Sequence, residues 1–410
     1  MRHNFIHFIG IGIFFFASLV LFGQHAPNNR QYFKESKKST IAQSVKNWHL
    51  FENLEIAESS SHFLVREDNA WQPEPLPNDH LKTVFSHRGR FFAHVTLNPR
   101  ESIDPVDREL TMTVFNSKKN LLYKFRRPHL YDRSLPQLVL SDKDGSLILG
   151  ENDTGKLWFY DNKGSLNRQV NLFSESSYDL ERILIIKLSD DGSRVAVLAS
   201  KRGSAPAGSD AINPDAEPHL IQFDSAGREL WRKNLPEFAA SAMNISPDGS
   251  KILVNNFTVN QSGDIIPRSL VYNDNGKPIL ETDLLYKSAH FSRNSNRLIL
   301  ADNQMIRFID LENNELIWQN KIPRNDGMIT QVATTESADI SGVLLGENDW
   351  SGEYFAFHHP KIMIFNRDGM LVQKISFDDQ KFRTPALWIS PEGDRVKIGF
   401  ENSFYIYSTN

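Results

Sequence analysis

Short apolar runs recur along the chain, each bounded by Gly, Pro, Asn, Asp or Ser. The sharpest lies in Ala242–Phe257, AMNISPDGSKILVNNF. Apolar runs of this length between turn residues predict strands. Here they are Met243–Ser246 and Lys251–Asn255, joined by a tight turn at Pro247–Gly249. With the serine before the turn as register mark, the hairpin recurs at Ser86, Ser141, Ser189, Ser246, Ser292 and Ser390, with a degenerate copy over Thr334–Leu345. A second element follows each copy. It is an alternating strand closing on an aromatic and an Asp or Asn, as in Lys156–Asp161 (KLWFYD), His219–Asp224 (HLIQFD) and Lys361–Asn366 (KIMIFN). A turn and a further strand come next, such as Glu229–Leu235 or Glu315–Ile322.

Each unit therefore holds four strands, a to d, in about 40–50 residues, which is the period of a β-propeller blade. One such sheet cannot bury both faces; neighbours stacked around a ring do it for one another, and closure protects the edges. The predicted fold is all-β, a seven-bladed β-propeller of four-stranded antiparallel blades over residues 61–410. The last unit ends at Asn410 without its strand d, so an N-terminal strand must close the ring. His62–Glu67 is the first candidate and Leu50–Ala57 the second. Gly145, Gly192, Gly249 and Gly393 supply positive φ in the turns, and Asn294–Asn296 takes that place in the fifth copy.

Arg2 precedes an apolar segment that runs uninterrupted over Ile9–Phe22 and ends at Gly23 and Gln24. A basic start, a short apolar stretch and then polar chain predict a secretory signal over residues 1–24. The stretch falls short of the roughly 20 residues a spanning helix needs; one retained transmembrane anchor is the alternative. The ending Leu21–Gln24 resembles signals of some Gram-negative bacteria. The chain is thus expected to be exported, as a periplasmic, secreted or cell-surface protein, touching membrane only through this segment if it is uncleaved. Residues 25–60 read as a tether. Within it Ile41, Val45 and Trp48 fall at i, i+4 and i+7 behind Ser39 and Thr40, which predicts a short amphipathic helix.

Composition narrows the chemistry. The 410 residues are 40% hydrophobic and include 28 phenylalanines, enough for many strands buried on both faces. The net charge of −4 leaves no basic surplus for phosphates, so nucleic acid is not an expected partner. With no cysteine, disulfides, thiolate metal sites and cysteine nucleophiles are excluded.

The SPDG turn resembles those of WD-repeat-like and TolB-like propellers. Asp310–Trp318 (DLENNELIW) is similar to the quinoprotein-type repeat, with Asn314 where that family prefers glycine, and Asp224–Trp231 is similar but one residue shorter. No Gly-His or Trp-Asp dipeptide occurs, so this is not a strict WD-repeat protein. Seven units are too few for the eight-bladed quinone dehydrogenases, so their cofactor is not inferred. The resemblance covers about residues 61–410 and implies a fold, not an activity.

Long loops carry function more often than tight turns. The b–c connections are the long ones: Asn98–Leu110, Ser200–Glu217, Phe257–Arg268 and Glu347–Pro360. That face is expected to bind a protein or polysaccharide partner. Its candidate residues are Glu151 and Glu347 at the ends of b strands, Trp350 and His358 in an aromatic loop, and Arg133, Arg182 and Arg383, which precede their register serines at similar distances and could attract an anion at the axial mouth. No G-x-S-x-G, H-E-x-x-H or P-loop occurs, and no ligand spacing for a metal. No catalytic residue, metal or cofactor is therefore assigned. The sequence supports an exported scaffold or binding module, with a carbohydrate hydrolase or lyase working at a polar axial mouth as the alternative. Charged side chains converging in the funnel would favour the enzyme; an aromatic patch on the long-loop face would favour the scaffold.

Overall fold

The register serine is what holds each a–b hairpin together. In a computed structural model, Ser246 is fully buried. Its N–H donates to Lys251 O at 2.9 Å. Its Oγ accepts from Lys251 N at 2.9 Å and donates to Asp248 at 2.8 Å. Ser189 and Ser292 repeat this with Asp191 and Asn294. Thr335 is the equivalent in the degenerate copy. The left-handed turn position falls to Gly89, Gly145, Gly192, Gly249 and Gly393, and elsewhere to Ser295 and Ala338, not to the asparagines beside Ser295. Gly192 is constrained twice: φ is +69°, and a Cβ there would lie 2.4 Å from Ser141 Oγ in the preceding unit.

The structure describes residues 32–99, 107–130, 135–152, 154–173, 182–200, 218–235, 242–259, 262, 264–349 and 356–409. They form eight four-stranded antiparallel sheets, each ordered a-b-c-d. β1 (Phe33–Thr40) stands at the start. Blade 1 is β2–β5 (Asn47–Leu50, Glu55–Glu58, His62–Glu67, Ala70–Pro75). Blade 2 is β6–β9 (His80–Phe85, Phe91–Pro99, Asp107–Asn116, Leu121–Leu130). Blade 3 is β10–β13 (Gln137–Leu140, Leu147–Glu151, Lys156–Tyr160, Leu166–Asn171). Blade 4 is β14–β17 (Arg182–Leu188, Arg194–Ser200, Pro218–Asp224, Glu229–Asn234). Blade 5 is β18–β21 (Met243–Ile245, Lys251–Val259, Ile265–Asn273, Pro278–Thr282). Blade 6 is β22–β25 (Ser288–Phe291, Arg297–Ala301, Met305–Asp310, Glu315–Lys321). Blade 7 is β26–β29 (Met328–Thr334, Ile340–Asp349, Ala356–Asn366, Leu371–Ser376). Blade 8 is β30–β32 (Ala386–Ile389, Arg395–Phe400, Ser403–Thr409) with β1 as its outer strand.

The propeller has eight blades, not the expected seven, and the added blade lies where a tether was expected. Blade 1 lacks the marker: its a–b turn is Phe51–Leu54, without serine or glycine. His62–Glu67 is strand c of blade 1, and Leu50–Ala57 spans its a–b hairpin, so neither closes the ring. Closure falls to β1, paired from Phe33↔Thr409 to Thr40↔Ser403. No helix forms at Ile41–Trp48. Ile41 and Val45 lie in a loop and Trp48 in β2, and all three sink into one apolar cluster with Phe404. Their spacing reported burial, not helical period.

The b and c strands are buried on both faces, as in β15 and β16, while outer strands such as β13 are mostly exposed. This is the pattern of sheets covered by neighbours. Side chains of the inner strands and of the segments leading into them clasp the next blade's backbone. Lys82 Nζ donates to Pro136 O at 2.7 Å, Asn244 to Ala289 O at 3.0 Å, and Gln331 accepts from Leu387 N at 2.8 Å. Across the closing seam Thr384 Oγ1 donates to Lys46 O at 2.5 Å. Outer-strand aromatics add a second belt: Tyr123 OH donates to Gly145 O at 2.6 Å and Trp318 Nε1 to Arg367 O at 3.0 Å. The Trp of the quinoprotein-like repeat is thus an inter-blade bolt.

The flanks of three of the expected long loops are strand, and residues 100–106, 260–261, 263 and 350–355 between them lie outside the described residues. β7–β8 stays paired to Pro99↔Arg108, β19–β20 to Val259↔Ile265 and β27–β28 to Asp349↔Ala356, giving hairpin arms beyond the blades. Residues 201–217 lie outside the described residues.

Candidate functional site

The residue after each register serine lines one of two adjoining cavities. At this place the repeat stops repeating: His87, Asp142, Asp190, Pro247, Arg293, Glu336 and Pro391 occupy it, with Glu52 at the blade 1 counterpart. Two adjoining cavities of about 330 and 470 Å³ open there and share Arg88, Asp190, Pro247 and Arg293 in their walls.

Ion pairs from four blades meet across this mouth. His87 Nδ1 lies 2.8 Å from Asp190 Oδ1, and Arg88 Nη2 lies 3.4 Å from Asp190 Oδ2. The same Arg88 reaches Glu336 of blade 7 at 3.9 Å, and Arg293 of blade 6 pairs with Glu336 from the other side. In a ring of eight, blade 2 is two places from blade 4 and three from blade 7, so Arg88 extends over the axis.

Asp142 belongs to the frame. It is 3% exposed, with Oδ1 accepting from Ser86 Oγ at 2.5 Å and Oδ2 from Arg88 N at 2.7 Å. Blade 2 has Arg88 where blades 4 and 5 carry the Asp that receives the serine, and the neighbouring blade's carboxylate fills in. His87, Asp142 and Asp190 bring ligand atoms within 4.8 Å of one another. Each of these atoms already faces a protein donor or acceptor, and the Arg88 guanidinium beside Asp190 opposes a further cation.

The mouth displaces its two histidines in opposite directions. For His87, burial favours the neutral ring, but the hydrogen bond to Asp190 and the charges of Asp190 and Asp142 outweigh it, and its pKa lies above the ordinary value. The ring keeps 59% of its surface open to the funnel, so water screens the pair. For Asp190, burial raises the pKa, but His87 and Arg88 together bring it below the usual carboxylate value. His290, in the wall of the smaller cavity, is pulled down to about 4 by burial and by the charge of His87.

Of the residues expected on the long-loop face, the described ones lie on blades 3 and 7 and in the segment leading into blade 8. Glu151 pairs with Arg127 at 3.0 Å and accepts from Thr154 at 2.8 Å on blade 3. Glu347 and His358 are cross-strand partners on blade 7. Glu347 pairs with Lys361 at 3.1 Å. His358 sits between Asp349 at 3.3 Å and Asp379 at 3.2 Å. Arg383 is exposed at the end opposite the a–b turns, in a cavity of about 710 Å³ with Lys46, Lys381 and Glu401. Arg182 begins β14, but its side chain, like Arg133 and Trp350, lies outside the described residues. The mouth residues stand in tight turns and carry no sequence motif. The available signal was chemical diversity at one fixed place in an otherwise regular repeat.

No family model and no curated protein matches the chain. Solved structures do. The C-terminal WD40 domain of Sif2 is similar with a TM-score of 0.55 at 12% identity, covering 93% of this chain and 99% of that one. The Dos1 propeller is similar with a TM-score of 0.55 at 14% identity, covering 92% and 95%. Identities this low establish the fold alone, a β-propeller.

Proposed function

We propose that the chain is a binding propeller that receives a protein partner at the a–b turn mouth of its axis. The observation that carries this is the convergence of Arg88, Asp190, Arg293 and Glu336 from four blades onto one opening. Tight turns on a closed ring hold such groups in fixed register, and complementary fixed charges confer specificity and steer encounter. The β-propeller fold is consistent with a scaffold role. We extend the proposal to export, on the strength of Arg2 and the apolar Ile9–Phe22 segment, which lies outside the described residues.

A photo-crosslinking residue tests the face. Placed at Lys143, on the mouth, it should give a discrete adduct in the source cell; placed at Gln43, on the opposite face, it should not. Adducts from Gln43 alone, or from neither position, would remove the proposal.

A second reading is an enzyme at the same mouth, a carbohydrate hydrolase or lyase. What favours it is the opposed displacement of His87 and His290, since neighbouring groups driven apart are how one site holds an acid and a base together. Its test is release of reducing ends or unsaturated sugars from a polysaccharide panel by wild type but not by a His290→Gln variant.

A further inference from the structure

We infer that the cavity of about 710 Å³ at the end opposite the mouth is a subsite for an acidic sugar, one uronate unit of a polysaccharide. It is independent of what the mouth receives. Three segments frame it at the seam between blades 8 and 1: the β1–β2 loop, the stretch leading into β30 and the β31–β32 turn. They are tied to one another and to β2 without a ligand. Ile41 N donates to Asn402 O at 2.8 Å, Thr384 Oγ1 to Lys46 O at 2.5 Å and Trp48 Nε1 to Glu401 O at 2.9 Å. A wall held in this way is preorganised, which lowers the cost of binding. The volume falls within the roughly 300–1,000 Å³ of ligand pockets.

The lining sets the chemistry. Gln43, Ser44 and Asn402 are exposed and Gln380 is half-buried, and none of these four side chains makes a hydrogen bond among the described residues. Amides and hydroxyls both donate and accept, as the hydroxyls of a sugar do. The charges do not cancel. Lys381 Nζ lies 2.7 Å from Asp349 Oδ2, so that pair is closed. Arg383 faces Glu401, whose pKa is raised by burial, with Arg383 and Lys381 opposing. The exposed Lys46 ammonium makes no hydrogen bond or ion pair among the described residues. One positive charge is left over. A uronate ring brings one carboxylate, whereas a phosphate monoester brings nearly two charges.

Glu401 carries a second sign. Its φ is +39° in the two-residue turn between Phe400 and Ser403, a place that glycine takes without strain. Strain kept by a side chain in a cavity wall points to use of that side chain. Here the Glu401 oxygens accept from sugar hydroxyls, next to the carboxylate that Lys46 and Arg383 receive. The guest is a sugar chain, so a crosslinker at Gln43 still gives no discrete protein adduct.

The test is calorimetric titration of the full chain at low ionic strength with trigalacturonate, its methyl ester and acetate. Trigalacturonate should bind. The ester, which keeps the rings and loses the charge, should bind about tenfold more weakly, and acetate should give no heat of binding. Lys46→Gln should weaken trigalacturonate about tenfold, while Lys163→Gln, on a c–d turn at the mouth end, should not. Glu401→Gly should bind more weakly and melt no lower than wild type, since it relieves the turn. Circular dichroism should show all three variants folded. Equal binding of acid and ester, acetate binding as tight as that of trigalacturonate, equal losses in Lys46→Gln and Lys163→Gln, full binding by Glu401→Gly, or no binding at all would overturn the inference. Binding lost in His290→Gln and kept in Lys46→Gln would put the sugar at the mouth and overturn it too.

Discussion

Lys397 Nζ lies 2.5 Å from Glu55 Oε1, across the seam where the last blade meets the first. The lysine is 1% exposed. It also donates to Phe51 O at 2.5 Å and Glu52 O at 2.8 Å, so all three of its protons are used. Burial lowers its pKa, with Glu55 opposing. The same Phe51–Glu52 backbone carries part of the wall of the smaller cavity, so the seam and the mouth share one support.

Breaking such a pair by removing one partner leaves a buried charge unmatched, at a cost of about 3–5 kcal/mol. Glu55→Gln should lose about 3 kcal/mol in urea unfolding. Glu55→Gln with Lys397→Met should recover a large part of that loss. A double mutant no more stable than Glu55→Gln would mean the lysine is not the origin of the cost.

The buried serine of each a–b turn should count individually. Ser246→Ala removes an acceptor for Lys251 N and a donor to Asp248, and the buried amide loses its side-chain partner. The expected cost is about 1–2 kcal/mol. Ser250→Ala in the same turn has an exposed hydroxyl and should change stability by less than about 0.5 kcal/mol.

Acid should weaken the ring before it unfolds it. His94 is held at about 4 by burial and by the charge of His80, and His290 at about 4 as above. In the unfolded chain both return to about 6.5. Between those values the unfolded state takes up protons that the folded state refuses, so stability falls as pH drops from about 6.5 to about 4, by at most about 3 kcal/mol per histidine. The His87–Asp190 pair behaves differently. With its pKa raised, the share from His87 is complete below about 6.5 and is lost as pH rises through its folded value. The share from Asp190, whose pKa is lowered, is present above about 4 and is lost only in stronger acid. His94→Asn keeps a neutral partner for Thr83, which faces His94 Nδ1 at 2.9 Å. It should flatten the stability profile between pH 6.5 and 4; an unchanged slope would exclude His94 as a source.

His358 ties the blade 7 arm to the segment leading into blade 8, where Phe357 and Phe382 exchange backbone hydrogen bonds of 2.8 and 2.9 Å and stack at 5.5 Å. His358→Ala should speed amide exchange at Phe357 and Phe382 while leaving global unfolding within about 0.5 kcal/mol, as expected for a local latch.

Where the chain repeats with a serine clasp and a left-handed glycine, its blades are legible one by one, because each residue has a local reason to be there. Asn314 is such a case: it stands where the related repeat prefers glycine, and its φ is +54°. Blade 1 was hidden because its a–b turn uses Phe51–Leu54 and its outer hairpin turns through Asp68 and Asn69, both at positive φ. Pro73 and Pro75 in β5 also disguise a strand, although an edge strand tolerates them. The site was illegible for a different reason. Arg88, Asp190 and Glu336 are far apart in sequence and carry no motif. Only the closing of the ring makes them neighbours.

Because the chain contains no cysteine, the closure itself can be tested with a clean pair. Ser36 Oγ and Ser408 Oγ lie 3.2 Å apart on β1 and β32. Ser36→Cys with Ser408→Cys should form an intramolecular disulfide under mild oxidation and raise the melting temperature, since it locks the two ends of one blade. His62→Cys with Ser408→Cys should stay reduced. The opposite outcome, an unreactive first pair and a crosslinked second, would restore a seven-bladed ring and take away the arrangement of blades on which the mouth depends.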